Sequence, residues 1–153
     1  MSDPGENGNM GPHSIGRLLA HISKYTRSFM SRRLKRFGIG GPTYGYLFHL
    51  YHRDGITESE LTRHMLVDKA TTTRAVAKLE KEGYIRKEAD MIDRRACRIF
   101  LTDKALSFEP ELKEVKMEWM GIVLRDFTLE EQAVLLDHLE RMERNLMDAE
   151  GGI

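Results

Sequence analysis

Between Thr57 and Gly83 the chain encodes two short helices almost back to back. Thr57-Glu58-Ser59-Glu60 is a capping box: the threonine oxygen accepts from the backbone amide three residues on, while Glu60 reaches back to the threonine amide. The run it opens is expected to turn Leu61, Met65 and Leu66 inward and to break near Val67-Asp68. Asp68 is then an N-cap for the next run, because its carboxylate accepts orphan amides and complements the helix dipole. From Lys69 to Glu82, Thr72, Val76 and Leu79 stand at i, i+4 and i+7 and share a core face, and Gly83 supplies the stop.

The other face of that second helix carries Ala70, Thr71, Arg74, Ala77, Lys78 and Lys81. It is small or hydrogen-bonding near its start and basic further on, a surface that can enter a groove. Downstream, Tyr84 to Glu88 and Cys97 to Leu101 are rich in β-branched and aromatic residues and flank a charged stretch, Ala89 to Ala96. They read as a hairpin. Cys97, Ile99 and Leu101 alternate onto one face, expected to pack on the helices, with Arg98 and Phe100 on the other. Two helices in a tight turn, then a basic hairpin, make a helix-turn-helix with a wing, whose second helix reads the major groove of DNA.

On either side lie longer helical patterns. From about Pro12, the residues Ile15, Leu18, Leu19, Ile22, Tyr25, Phe29 and Met30 recur at steps of three and four, and the pattern stops in Phe37-Gly38-Ile39-Gly40-Gly41-Pro42. Thr43 to about Arg53 is apolar nearly all round, as befits a helix central to a small domain. After Thr102 a helix runs through Leu106 to Val123, bent or restarted near Pro110, whose ring opposes an unbroken helix. A second capping box, Thr128-Leu129-Glu130-Glu131, opens the last. The 153 residues suit one domain, expected to be mainly α with a small two- or three-stranded β-wing.

A net charge of zero conceals a polar arrangement. Residues 1–56 hold eight bases against three acids, residues 57–104 eleven against nine, and residues 105–153 five against twelve. One end is built for an anionic partner, the other for solvent or for itself. The longest stretch without charge, Phe37 to His52, falls short of the roughly 18 apolar residues of a membrane helix. The opening MSDPGENGNMGPHS has no secretory pattern. A single cysteine, Cys97, excludes an internal disulfide framework. The expectation is a cytoplasmic protein, not membrane-bound.

The stretch from Thr57 to Thr102 resembles the winged helix-turn-helix of the MarR family of transcription regulators. Three segments carry the likeness: Asp68-Lys69-Ala70-Thr71-Thr72-Thr73-Arg74, the boundary Leu79-Glu80-Lys81-Glu82-Gly83-Tyr84-Ile85, and the wing Asp93-Arg94-Arg95 leading to Leu101-Thr102. One departure is Ala105, where the family often has glycine. The resemblance implies a flexible leader at 1–11, one domain over 12–148 and a tail at 149–153. Residues 12–37 and 103–148 would form long dimerisation helices, and 43–102 the DNA-binding lobe. It further implies a homodimer straddling a pseudo-palindromic operator, acting as a repressor. Arg95 would enter the minor groove with Asp93 orienting it, and Arg94 and Arg98 would meet phosphates. Ser59, Lys69, Ala70, Thr71, Thr73, Arg74 and Lys78 complete the candidate DNA contacts. Relatives also bind small aromatic or phenolic anions, and Arg17, His21, Tyr25, Tyr44, Phe48 and His49 are the candidate lining for such an effector.

Other chemistries find little to stand on. His49 and His52 are spaced for one helix face but lack a third ligand at a completing spacing, so no metal is expected. Cys97, read as facing the core, is inert packing there. No phosphate loop, nucleophile elbow or metal signature appears, so neither an enzyme nor a cofactor is expected. A winged-helix protein-interaction module with only non-specific DNA affinity is the alternative.

Overall fold

A computed structural model describes residues 14–151. The leader at 1–11, the helix start near Pro12 and residues 152–153 of the tail lie outside the described residues. Helix α1 runs Ile15–Leu34, capped by Ser14, whose hydroxyl accepts from the Arg17 amide at 3.3 Å. A 3-10 turn, Lys35–Phe37, closes on Gly38 in the left-handed region, and α2 follows at Thr43–His52. Then come strand β1 (Ile56–Thr57), α3 (Glu58–Met65), α4 (Lys69–Lys81), β2 (Ile85–Ala89), β3 (Cys97–Leu101), α5 (Asp103–Val123) and α6 (Leu129–Ala149).

The wing sheet has three strands in the order β1-β3-β2, all antiparallel. Ile56 sits opposite Ile99, and Ile85 opposite Leu101. Ile85, Ile99 and Leu101 face the helices and are buried. Gly55 ties the third strand on: its amide donates to the Ile99 carbonyl at 2.9 Å, at φ 74°. A Cβ there would sit 2.9 Å from the Phe100 ring, so space as well as backbone demands glycine.

Core packing is centred on the lobe. Leu47 and Leu50 of α2, Leu61 of α3, Val76 and Leu79 of α4, Ile99 of β3 and Leu112 of α5 have no exposed surface. Tyr84 is buried, yet its own hydroxyl stays paired, donating to the Phe37 carbonyl at 2.8 Å. Thr57 and Thr128 form both expected capping boxes.

Three expectations need correction. Leu66 does not point inward: it terminates α3 at φ 52° with 58% of its surface exposed, because the short turn to Asp68 needs a left-handed residue there. Cys97 is exposed, since it lies at the far end of β3, past the part of the strand that reaches the helices. Pro110 does not restart the chain as a second helix, for α5 continues through it. Pro110 lies on the exposed side of α5.

Candidate nucleic-acid interface

Helix α4 presents Lys69, Ala70, Arg74, Ala77, Lys78 and Lys81 to solvent, with Thr71 half-buried among them. The capping residue organises this face. Asp68 accepts from the Thr71 amide at 2.8 Å and from its hydroxyl at 2.7 Å, and Arg74 Nη2 donates to the same hydroxyl at 3.1 Å. Thr71 thereby fixes the direction of Arg74. Its hydroxyl, then its amide, hold the Asp68 carboxyl below the ordinary aspartate range. Thr73 turns the other way, donating to Glu58 of α3 at 2.5 Å. The Lys78 ammonium lies beside Gly40, at the turn before α2.

In the wing, the organising group is Asp90, only 5% exposed. One of its oxygens accepts from the amides of Ile92 at 2.7 Å and Asp93 at 2.8 Å, and the other pairs with Arg98 Nε. The Asp93 and Ile92 amides, with Arg98, keep this carboxyl below its usual range. Arg98 also donates to the Gly55 carbonyl at 2.8 Å, so it joins the base of the wing to the edge of β1. Asp93 in turn accepts from the Arg95 amide at 3.0 Å. Arg94 and Arg95 are exposed on the loop so formed.

Not all candidate residues converge on this surface. Ser59 lines an apolar groove of about 770 Å³, with Leu19, Leu66, Leu139, Met142 and Leu146 among its walls. A second cavity, about 520 Å³, lies between the end of α1 and α5, with Arg32, Arg33 and Arg36 facing Glu111, Glu114 and Glu118. The six effector candidates line neither. Arg17, His21 and Tyr25 are on the exposed side of α1, while Tyr44 and Phe48 meet edge-on at 6.3 Å. His49 stacks on His64 of α3 at 4.9 Å, and its pKa is lowered by burial and by His64, Arg53 and His52.

Asp90 escaped the sequence reading although its signal was there. An aspartate at the first position of a tight loop can accept from amides two and three residues on. The exposure of Met91 and Ile92 left no comparable mark.

The family model described as MarR matches residues 42–97, which span α2 to the start of β3. A MarR transcriptional regulator from Methanosarcina mazei Go1 is 32% identical, superposes with a TM-score of 0.85, and shares 90% of this chain and 99% of its own. The chain belongs to the MarR family. The HTH-type transcriptional regulator YybA of Bacillus subtilis is 28% identical over 88% of this chain and 89% of its own length. A putative MarR family regulator from Listeria monocytogenes, solved in complex with 26mer DNA, shares the fold at TM-score 0.81 and 24% identity, over 91% and 96% of the two chains. This MarR protein is thus a transcriptional regulator, in a family of named regulators rather than enzymes. Among its described residues, no helix is long and apolar enough to cross a membrane.

Proposed function

We propose that this MarR protein is a homodimeric, sequence-specific repressor that straddles a pseudo-palindromic operator in double-stranded DNA in the cytoplasm. The observation that carries the reading is the pair of internally braced basic surfaces. Arg74 is aligned by Thr71 and Asp68 on α4, and Arg94 and Arg95 stand on a loop held by Asp90. Bracing matters because a guanidinium already oriented, as Arg74's is, loses less conformational freedom on binding, and a loop already held loses less backbone freedom in presenting Arg94 and Arg95. Lys69, Ala70, Thr71 and Arg74 enter the major groove, Arg95 oriented by Asp93 enters the minor groove, and Lys78 and Arg94 meet phosphates. Arg98, Thr73 and Ser59 are secondary contacts in this reading, since the first two hold partners within the protein. That a protein of the same fold, from Listeria, was solved in complex with 26mer DNA supports DNA as the partner.

Residues 43–102 are the lobe, and residues 12–37 and 103–148 supply the dimer helices. Their apolar residues Ile15, Leu18, Ile22, Met117, Ile122 and Leu139 are exposed in the single chain. A small aromatic or phenolic anion acts on this assembly by binding one spacing of the lobes better than the other. Arg17, His21, Tyr25, Tyr44, Phe48 and His49 remain its candidate lining. The test is fluorescence anisotropy with DNA from upstream of the protein's own gene, joined by operators selected from random duplexes, against a scrambled duplex at the same salt. Binding tighter by about 1000-fold supports a repressor. Equal, weak binding to every duplex defeats it.

A further inference from the structure

The tip of the wing carries two apolar side chains with almost nothing around them: Met91 is 96% exposed and Ile92 is 94% exposed. They are the most exposed of the large hydrophobic residues among those described. Isolated surface hydrophobics are commonplace, but a neighbouring pair at the extremity of a hairpin is a different matter. A slack loop would fold such residues back onto its own strands. This loop is not slack. The Ile92 and Asp93 amides donate to the Asp90 carboxylate, the Asp90 amide donates to the Ala96 carbonyl at 2.9 Å, and the Ala96 amide donates to the Asp93 carbonyl at 2.9 Å. Asp90 is itself anchored by Arg98, which is tied to Gly55. The backbone is therefore fixed with Met91 and Ile92 turned outward.

Their surroundings select the partner. Arg94 and Arg95 flank the pair on the same short loop, and both are exposed. The neighbouring carboxylates are engaged: Asp90 is buried against Arg98, and Asp93 accepts from the Arg95 amide. An apolar tip beside two arginines suits the minor groove, where the walls are deoxyribose carbons and the floor is strongly negative. We propose that Met91 and Ile92 form an apolar wedge that seats in the minor groove beside Arg95, with Asp90 as the positioning residue that sets its shape. This rests on the DNA-binding reading above and adds a contact that is not electrostatic.

That difference supplies the test. Phosphate and groove arginines release counterions, so their loss lowers the salt dependence of binding, whereas an apolar contact leaves the slope alone. Wild type, the double variant Met91→Ser/Ile92→Ser, the apolar double variant Met91→Leu/Ile92→Val and Arg95→Ala are titrated against the selected operator across a salt series. The serine variant is expected to lose about tenfold in affinity with an unchanged slope, and the apolar variant to recover most of it. Arg95→Ala is expected to lower the slope by roughly 1. Wild-type affinity in the serine variant overturns the wedge, as does a loss accompanied by a changed slope or one that the apolar variant fails to recover. If wild type itself cannot distinguish the operator from the scrambled duplex, the DNA-binding reading has failed, and the wedge with it. The substituted side chains are solvent-exposed, and circular dichroism verifies that each variant remains folded.

Discussion

The lobe and the long terminal helices of this MarR protein are built to different standards of completeness. In the lobe, α2 buries Tyr46, Leu47 and Leu50, α4 buries Ala75, Val76 and Leu79, and the sheet contributes Ile85, Ile99 and Leu101. Helix α6, in contrast, has no buried residue along its whole length, and Leu136, Leu139, Leu146 and Met147 lie open. The first half of α1 is similar, with Ile15, Leu18, Ile22 and Tyr25 exposed. Helices in both regions carry apolar stripes, α4 as much as α1 and α6, so pattern alone does not separate them. The difference is that one set of apolar faces finds partners within the chain and the other does not. In the proposed dimer this apolar surface would be covered by the second copy, and the acidic −7 segment would keep that contact away from phosphate.

Replacing a fully buried lobe residue is the most severe way to break the comparison. Leu61→Ala is expected to cost about 2 to 5 kcal/mol of stability in urea unfolding, since truncating a fully buried leucine loses its burial and leaves a cavity. Leu139→Ala on α6 is expected to act differently, making the melting temperature more dependent on protein concentration by weakening association. A Leu61→Ala loss that disappears on raising concentration would place that residue in the wrong region.

A smaller effect separates the arginines within the wing. Arg95→Ala is expected to weaken operator binding by about 1 to 3 kcal/mol and leave urea stability unchanged, as befits an exposed contact. Arg98→Ala is expected to lower stability by about 1 kcal/mol, because it strips the buried Asp90 carboxylate of its cation, though the 40% exposure of Arg98 tempers the loss. Equal effects of the two variants in both assays would erase the distinction between contact and brace.

Much of this contrast was legible in the sequence. The capping boxes at Thr57 and Thr128, the Asp68 cap and the positions of Thr72, Val76 and Leu79 follow local rules, and local rules are readable. The failures share a cause. Whether Leu66 turns inward depends on the left-handed turn to Asp68, and whether Cys97 is covered depends on how far the helices reach along β3. The Arg98 to Asp90 and Gly55 bridge joins parts of the chain that no periodicity relates. For the candidate site, the residue types of α4 and the wing were readable, but their division into outward contacts and inward braces required the fold.

The mildest effect concerns pH and belongs to the lobe. The folded Asp90 and Asp68 carboxyls titrate below the ordinary aspartate value of about 3.9. Each depressed pKa contributes stability that is present above that value and lost as pH falls through it towards the folded pKa. His49, lowered from 6.5, adds a loss that begins as pH drops below that figure. Thermal melting from pH 7 to 3 is therefore expected to show a falling transition temperature, with the lower part of the fall diminished in Asp90→Asn. An identical pH profile in that variant would remove Asp90 from the account.

The central claim, that a core shared by the lobe, the end of α1 and α5 is joined to α6 and the start of α1, whose apolar faces are left for a second copy, is tested most directly by sedimentation equilibrium of the full chain, alone and on its operator. The account predicts a dimer free in solution, two copies per duplex when bound, and a folded monomer with weakened operator binding when Leu139→Glu is introduced. A wild-type chain that sediments as a monomer in both conditions would contradict it.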